Sequence, residues 1–210
     1  MKITVIGTGN MGAAFVKQLT RAGHQVSVTG RNLRKAEQVA AANPGAVAVP
    51  TAGAADGAAA VVLATGYGDA VAALRSVGDL NGKVVIDITN PLTPDYMGLT
   101  LGHDTSAAEE IAKAVPGAEI VKAFNTVFAP LLAEGADLGD GRKVTVFIAG
   151  DTERGKQTVR ALAESMGFDT VDAGGLKNAR YLEPLAGLNI YLGYGAGLGT
   201  KIAPTWQHAA

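Results

Sequence analysis

The chain has 210 residues, a length that favours one large domain over several small ones. Hydrophobic residues make up 48% of the chain, aromatic residues 5% and charged residues 18%, which excludes a coiled coil, a collagen and a disordered tail. Eighteen basic and nineteen acidic residues leave a formal charge of −1, so we expect no broad electrostatic surface for nucleic acid or for anionic membranes.

Cysteine is absent, which excludes a disulfide framework and every thiolate metal site and is consistent with a reducing cytoplasm. Only four residues, Ile3 to Ile6, lie between Lys2 and Gly7, too few for the apolar region of a signal peptide. A long uncharged run, residues 184–200, contains Pro184 and five glycines and predicts packed protein, not a membrane span. We therefore expect a cytoplasmic protein without a membrane partner.

Short apolar runs alternate with amphipathic stretches along the chain. The runs predict strands over residues 2–6, 25–29, 46–49, 61–64, 83–88, 119–122, 143–148 and 170–172. The stretches between them predict helices over residues 12–22, 33–42, 54–60, 69–77, 106–115, 153–166 and from 179 onward. Ser106 and Glu109 have the spacing of a capping box, and residues 89–103 predict a long loop.

This alternation predicts an α/β fold in which most strands are parallel and doubly wound. No internal repeat or low-complexity linker divides the chain. We expect a dinucleotide-binding Rossmann domain over residues 1–178. Residues 179–210 form a C-terminal helical segment too small for its own core, which packs on that domain or on a partner chain.

A glycine-rich loop follows the first predicted strand and opens the first predicted helix. Gly7 permits a tight turn, Gly9 lets a pyrophosphate approach the backbone, and Gly12 lets the helix pack closely on the strand. Free N–H groups at the helix start then face the anion. The predicted dinucleotide loop consists of Gly7, Thr8, Gly9, Asn10, Met11 and Gly12.

The residues after the second predicted strand indicate which dinucleotide binds. An acidic residue there would bind the ribose diol of NAD, but no carboxylate precedes Glu37. Arg31 can hold a 2′-phosphate by two parallel hydrogen bonds, and Lys35 lies one helical turn further on. Cations at a helix start oppose its dipole, which also indicates a nearby anion. NADP(H) is the predicted cofactor, with Arg34 a weaker candidate for its phosphate.

Three further loops follow predicted strands and should meet at the same sheet edge. Tyr67 could line the cofactor after the fourth strand, while Asn90 and Asn125 could orient the nicotinamide after the fifth and sixth. For the asparagines, ordinary turn chemistry is the alternative. The residues predicted to bind cofactor from these loops are Thr65, Tyr67, Asn90, Pro91, Ala123 and Asn125.

No acid–base or metal-binding constellation is evident. His24 lies at a helix end, His103 in the long loop and His208 in the tail, while Asp137 and Asp140 predict a solvated polar loop. No metal site is therefore expected. A chain that binds NADP without an acid–base pair is best suited to direct hydride transfer, in which the protein supplies distance and orientation.

Motifs that recur in order along nearly the whole chain are residues 7–12, Gly30, Arg31, Lys35 and residues 89–91, 106–110, 122–126, 148–151, 166–168, 172–175 and 178–183. Together they resemble the NADP oxidoreductase family that depends on the deazaflavin coenzyme F-420. The sequence is also similar to the NADPH-binding domain of six-transmembrane metalloreductases. The resemblance implies a Rossmann domain, NADP bound at the glycine loop, and a homodimer. With NADP at this loop, we expect Thr8 to contact the 2′-phosphate.

Two residues depart from the pattern of this family. Gly30 stands where the family often has Ser, and Asn125 stands where the deazaflavin enzymes commonly have His. The acceptor therefore stays open among F-420, FMN and FAD, each as an exchangeable small-molecule co-substrate. Two other functions also stay open: reduction of a small carbonyl or imine, with Tyr181 or His103 as proton donor, and non-catalytic NADP binding.

Overall fold

The computed structural model describes residues 1–139 and 141–206; Asp140 and His208, named above, lie outside the described residues. The strands are β1 (Lys2–Ile6), β2 (Gln25–Thr29), β3 (Ala46–Ala48), β4 (Ala60–Leu63), β5 (Val84–Asp87), β6 (Glu119–Lys122), β7 (Asp137–Gly139), β8 (Arg142–Lys143), β9 (Thr145–Gly150) and β10 (Asp169–Asp172). The helices are α1 (Asn10–Arg21), α2 (Leu33–Ala41), α3 (Ala70–Ser76), α4 (Ala107–Ala114), α5 (Ala129–Glu134), α6 (Glu153–Ser165) and α7 (Ala179–Ile190).

The main sheet confirms the predicted Rossmann-type α/β fold. Its strand order is β10-β9-β6-β5-β4-β1-β2-β3, and the six strands from β3 to β6 run parallel. This is the 3-2-1-4-5-6 order of dinucleotide-binding folds. The carboxyl ends of β1, β2, β4, β5 and β6 therefore meet at one edge of the sheet, where the glycine loop and the other candidate loops begin.

The last strand–helix–strand unit is oriented differently from the first six strands. β9 pairs antiparallel with β6, whereas β10 pairs parallel with β9. The hairpin of β7 and β8, which the sequence analysis did not predict, lies directly before β9. The local pattern of β9, α6 and β10 predicted the unit itself, but its direction depends on where the chain re-enters the sheet.

Burial of both faces of the sheet explains why the central strands are mostly apolar. The strands β4 and β5 are buried along their whole length, as the lack of polar residues in β4 predicts for a sheet covered by helices. On one face, Phe124 makes edge-to-face contacts with Phe15 of α1 and with Phe168, with ring centroids 5.0 Å and 5.7 Å apart. These rings anchor the loop that follows β6 in the core.

Helix caps agree with the sequence in part. The N-cap at Ser106 is confirmed, because Ser106 Oγ accepts a hydrogen bond from the Glu109 N–H. The second half of the capping box differs, since Glu109 Oε2 accepts from the Ser106 hydroxyl and not from the Ser106 backbone N–H. The short helix predicted over residues 54–60 is wrong, because the segment forms turns in which Gly53 and Gly57 have φ of +74° and +67°. The helix α5, which was not predicted, packs on α1 through a hydrogen bond from Gln18 to the Ala133 carbonyl.

The C-terminal segment packs on the sheet domain. Leu182 of α7 lies in an apolar cluster with Phe147 and Ala149 of β9, and a π-helical turn (Tyr191–Gly195) follows α7. The division of the chain at residue 178 stays a prediction. Within residues 1–139 and 141–206, no helix combines the length and the apolar character that a membrane crossing requires.

Candidate functional site

Two adjoining clefts lie at the carboxyl edge of the sheet. The first, here called the glycine-loop cleft, has a volume of about 550 Å³ and is lined by Thr8, Gly30, Arg31, Lys35, Thr51 and Asp69, among others. The second, here called the asparagine cleft, has a volume of about 730 Å³ and is lined by Met11, Tyr67, Asn90, Leu92, Asn125 and Tyr194, among others. Both clefts share the lining residues Gly9, Ala64, Thr65 and Gly66, so they form one groove.

Steric contacts explain each glycine of the loop between β1 and α1. Gly7 has a φ of +129°, and a Cβ there would lie 2.2 Å from the Ala64 carbonyl oxygen. A Cβ on Gly12 would lie 2.0 Å from the Gly7 carbonyl oxygen, whereas a Cβ on Gly9 would meet nothing within 4 Å. Only glycine therefore fits at positions 7 and 12, where the backbone packs closely on itself. Gly9 leaves open space in which a ligand can approach the loop.

The start of α1 is suited to bind an anion. Gly9 is the N-cap residue of α1, and no side chain among the described residues caps this end of the helix. The first N–H groups of the helix are thus available, and together with the helix dipole they favour a phosphate. The residues present therefore fit the pyrophosphate of a dinucleotide.

The glycine-loop cleft carries its cations at the rim. Arg31 is 88% exposed and forms an ion pair with Asp69, with 3.3 Å between Nη2 and Oδ2. Lys35 lies in the first turn of α2, where the Asn32 side chain caps its N–H. Because an exposed ion pair contributes little free energy, Arg31 can exchange Asp69 for a phosphate. Arg34, the weaker candidate, does not line this cleft.

In the asparagine cleft, the two predicted asparagines bind each other. Asn90 Nδ2 donates to the Asn125 carbonyl at 2.9 Å, and Asn125 Nδ2 donates to Asn90 Oδ1 at 3.0 Å. Asn125 Nδ2 also donates to the Leu182 carbonyl of α7 at 2.8 Å. The amide of Asn90 is thus occupied in holding Asn125, so the two side chains have different roles.

Buried polar atoms without a partner are concentrated at this cleft. Among the described residues, four buried side-chain atoms have no hydrogen-bond partner. Three of them, Thr65 Oγ1, Thr89 Oγ1 and Asn125 Oδ1, belong to residues that line the asparagine cleft, and the fourth, Arg160 Nε, lies in neither cleft. Thr89 is only 2% exposed and Asn125 only 7%. Because leaving such groups unpaired costs free energy, their clustering indicates a polar ligand that supplies the partners.

The backbone before Asn125 is strained. Phe124 has a φ of +59°, a left-handed conformation that costs a bulky residue about 1–3 kcal/mol. Its ring is held in the core between Phe15 and Phe168, so packing keeps the chain in this conformation. The sharp turn after β6 brings Asn125 to the cleft.

Beneath the cleft lies a buried cluster of charged side chains. Lys122 Nζ is 2.7 Å from Asp87 Oδ2 and 2.8 Å from Glu183 Oε1, and these three residues are at most 2% exposed. The same ammonium group donates to the Thr89 carbonyl at 2.7 Å. Asp87 Oδ1 accepts the Thr89 N–H at 2.8 Å, so the cluster holds both backbone polar groups of Thr89.

The same cluster joins α7 to α4. The Glu183 carboxylate accepts hydrogen bonds from the Ala107 and Ala108 N–H groups at the start of α4. Arg180 of α7 forms a bidentate ion pair with Glu109: Nε donates to Oε2 at 2.8 Å, and Nη2 donates to Oε1 at 2.7 Å. This pairing holds the pKa of Glu109 below its ordinary value, chiefly through the hydrogen bonds from Arg180. These contacts therefore fix α7 next to α4, close to the two loops that contain Thr89 and Asn125.

Tyr67 lines the asparagine cleft and remains a neutral phenol at physiological pH. Burial raises its pKa above the ordinary value, and the carboxylates of Glu110, Glu183 and Asp87 raise it further, against an opposing effect of Lys122. Three carboxylates and one ammonium group thus act on this phenol, and the carboxylates have the larger effect on its pKa.

Other predicted residues lie away from the clefts. Pro91 and Ala123 are buried and line neither cleft, and Gly12 contributes through its contact with Gly7. His103 is exposed and Tyr181 is 74% exposed, and both are outside the lining of the two clefts. Within the described residues, no group of three or more His, Cys, Asp or Glu side chains is placed to hold a metal ion.

Sequence reasoning missed Thr89, Lys122, Asp87 and Glu183 as parts of the site. A signal was available for two of them: Asp87 ends an otherwise apolar strand, and Lys122 follows two apolar residues at the end of β6, and an unpaired charge at either buried position would be very costly. Glu183 offered no comparable signal, because nothing in a helical sequence shows that its carboxylate reaches α4.

Comparisons with known proteins agree with this geometry. The model of the family described as NADP oxidoreductase, coenzyme F420-dependent, matches residues 2–91. The F420-dependent NADP reductase of Methanothermobacter marburgensis is 32% identical over 209 aligned residues, which cover 91% of this chain and 92% of that protein. The crystal structure of a candidate F420-dependent NADP reductase from an Arthrobacter species matches with a TM-score of 0.88 and 31% identity, over 99% of this chain and 100% of that one.

A second group of relatives consists of metalloreductases. Metalloreductase STEAP3 of Rattus norvegicus is 30% identical over 185 residues, which cover 88% of this chain and 36% of that protein. The chain thus spans about a third of the length of that metalloreductase. Its match to the archaeal reductase, by contrast, extends over nearly the whole of both proteins, and this chain belongs to the family of coenzyme F420-dependent NADP oxidoreductases.

Proposed function

We propose that this chain transfers a hydride between NADP(H) and a flavin or deazaflavin acceptor. The observation that carries the proposal is the continuity of the two clefts across Gly9 and Thr65. One part of the groove offers glycines and cations, and the other offers buried polar atoms and an apolar wall. A dinucleotide and a second ring therefore have adjoining places at one sheet edge, where ligands of open α/β sheets bind.

The cofactor would be held at three points, beginning at the glycine-loop cleft. Gly9 and the start of α1 receive the pyrophosphate, while Arg31, Lys35 and Thr8 receive the 2′-phosphate. This assignment is supported by the open space at Gly9 and by the position of Arg31 and Lys35 in the lining of the cleft.

The nicotinamide end would bind at Asn125 and Thr89. Asn125 Oδ1 is an acceptor without a partner and suits the amide N–H of the nicotinamide, whereas the Thr89 hydroxyl can donate to the amide oxygen. Asn90 acts through Asn125, because both ends of its amide already bind that residue. Thr65 Oγ1, also without a partner, lies where the two clefts join.

The protein contributes orientation and a partly dry site to this reaction. When bound, NADPH supplies the hydride itself, so the side chains need no nucleophile or general base. Asn125 and Thr89 fix the amide, and the strained turn at Phe124 and the cluster around Lys122 keep those two side chains in place. Fixing the reacting groups in this way lowers the entropic part of the barrier.

The test is oxidation of NADPH, followed at the nicotinamide absorbance, with coenzyme F-420, riboflavin, FMN and FAD offered separately. We expect turnover with at least one of these acceptors and a strong preference for NADPH over NADH. A panel of small aldehydes, ketones and imines forms the second arm. Turnover with that panel alone would contradict the proposal and favour a carbonyl or imine reductase. Tight NADPH binding without turnover in either arm would indicate a non-catalytic NADP-binding protein.

Two further properties are part of the proposal. The second substrate is a small molecule that enters the asparagine cleft, and the chain acts in the cytoplasm as a homodimer. Sedimentation equilibrium over a range of protein concentrations tests the oligomeric state directly. A monomer at every concentration would contradict the homodimer without affecting the proposed reaction.

A further inference from the structure

The outer wall of the asparagine cleft is apolar and unusually exposed. Tyr96 and Met97 lie in the loop after β5, and Tyr194 lies in the π-helical turn after α7. They are 64%, 49% and 62% exposed, although all three line a cavity. Large apolar side chains left open to water in a concave site are typical of a ligand-binding surface.

The loop that carries two of these side chains is built by specific hydrogen bonds. Thr93 and Gly98 bind each other through backbone and side chain, and Leu92 and Leu99 form an isolated bridge. Tyr96 at the tip has a φ of +63°. These hydrogen bonds therefore hold Tyr96 in a defined position at the tip of the loop.

The third side chain is held by an aromatic contact. The Tyr194 ring packs edge-to-face on Phe128, with centroids 5.6 Å apart and an interplanar angle of 89°. Phe128 is itself buried and lines the same cleft. Rings from two separate elements are thus held ready to contact a flat apolar molecule.

The charges of the asparagine cleft differ from those of its neighbour. Among the described residues, its lining contains no Lys, Arg or His, and Asp95 is its single charged member. Beneath it, Lys122 faces the two carboxylates of Asp87 and Glu183, and nearby carboxylates outweigh Lys122 in their effect on the pKa of Tyr67. An anionic group entering this cleft would meet repulsion, whereas the glycine-loop cleft offers Arg31 and Lys35.

We infer that the asparagine cleft binds its acceptor through an uncharged planar ring seated against Tyr96, Met97 and Tyr194, and that an anionic tail on the acceptor adds no affinity. This inference rests on the proposed function and names the part of the substrate that is recognised. In the reaction the ring gains a hydride from NADPH and one proton from solvent to give its dihydro form, and NADP⁺ remains.

Riboflavin and FMN test the inference because they share one ring and differ by a phosphate. The complex of the protein with NADP⁺ is titrated with each flavin, and binding is followed by the quenching of flavin fluorescence; kcat/KM with NADPH is measured in parallel. We expect riboflavin to bind at least as tightly as FMN. Any deficit of FMN should shrink with added salt, which screens charges over about 10 Å at 0.1 M, and in the Asp95→Asn variant.

Substitutions in the outer wall of the asparagine cleft test where the ring of the acceptor binds. Tyr96→Ala and Tyr194→Ala should each raise the Kd of riboflavin about five-fold to ten-fold, which is the size expected for one aromatic contact, and leave the Kd of NADPH unchanged. The matched control is Trp206→Ala, which removes an aromatic ring that is 65% exposed and lies outside both clefts. Its Kd values for both molecules should equal those of the wild type.

The outcomes separate this inference from the proposed function. FMN bound ten-fold more tightly than riboflavin, or unchanged riboflavin binding in both tyrosine variants, would overturn the inference and leave hydride transfer standing. Absence of both binding and turnover with every flavin and with F-420 would overturn the proposed function, and the inference with it.

Discussion

The two clefts are parts of one groove, but different kinds of interaction build them. The glycine-loop cleft uses backbone groups of one short loop and exposed cations such as Arg31. The asparagine cleft uses buried side chains from distant parts of the chain, held by a charged cluster that is closed to solvent. The first cleft is thus defined by local sequence, and the second depends on packing of the whole domain.

This difference indicates where each kind of mutation should act. An exposed cation contributes to ligand affinity and little to folding, because water already solvates it. A buried charge contributes to both ligand affinity and folding, because removing it leaves its charged partners unpaired in an environment of low polarity. Substitutions in the buried cluster should therefore affect stability most, and substitutions of the exposed cations should affect the cofactor most.

Lys122→Met should have the largest effect on stability. The substitution leaves the buried carboxylates of Asp87 and Glu183 without their cation and should lower the free energy of unfolding by about 3–5 kcal/mol, measured by urea denaturation. The control is Lys113→Met, which removes an exposed ion pair with Glu110 and should cost at most about 1 kcal/mol. Similar losses in the two variants would show that the buried cluster has no special role.

Arg31→Ala should affect the cofactor and leave folding unchanged. Loss of charge-assisted hydrogen bonds to the 2′-phosphate should weaken NADPH binding by about 1.5–3 kcal/mol, or roughly ten-fold to a hundred-fold in Kd, and leave NADH binding unchanged. Isothermal titration calorimetry measures both. Arg34→Ala is the matched control, since Arg34 does not line the cleft. Equal weakening of NADPH and NADH by Arg31→Ala would refute the phosphate assignment.

Thr89→Val should separate stability from function. The Thr89 hydroxyl has no partner among the described residues, so its removal should leave the free energy of unfolding unchanged or raise it by up to about 1 kcal/mol. NADPH turnover should nevertheless fall several-fold, because the hydroxyl is proposed to bind the nicotinamide amide.

The control for this prediction is the same substitution at Thr4. The Thr4 hydroxyl is buried and donates to the Ala54 carbonyl at 2.7 Å, so Thr4→Val should lower the free energy of unfolding by about 1 kcal/mol and leave turnover unchanged. If Thr89→Val destabilised the protein as much as Thr4→Val and left turnover intact, Thr89 would be a structural residue.

The smallest expected effect is a pH dependence of the framework that fixes α7. Because Arg180 lowers the pKa of Glu109 in the folded protein, their pairing stabilises the fold at neutral pH and is lost as the pH falls through that lowered pKa. Arg180→Gln should therefore lower the free energy of unfolding slightly at neutral pH, and the difference should vanish in acid.

Denaturation curves across this pH range provide the measurement for Arg180→Gln. Arg75→Gln is the control, because Arg75 donates to the Ala114 carbonyl, which does not titrate. Its effect should be independent of pH. A constant effect of Arg180→Gln down to low pH would mean that the pairing with Glu109 contributes nothing.

The fold could be predicted wherever a signal is local. The run from Lys2 to Ile6, the glycines of the loop and the N-cap at Ser106 each depend on a few neighbouring residues, and the structure has them as predicted. The helix predicted over residues 54–60 failed, because alanines favour a helix but Gly53 and Gly57 adopt positive φ in turns. The short helix α5 was missed because its packing on α1, a tertiary contact, stabilises it.

By itself, the sequence determined the class of fold, the glycine loop between β1 and α1 and the cations that lie near it, since backbone sterics and helix starts act over a few residues. Only the tertiary structure decided the antiparallel direction of β9, the different roles of Asn90 and Asn125, and the cluster around Lys122. The physical reason is that these features depend on burial and on partners such as Asn125 and Leu182, which are 57 residues apart in the chain. No local pattern encodes which of two buried polar atoms keeps its partner and which is left for a ligand.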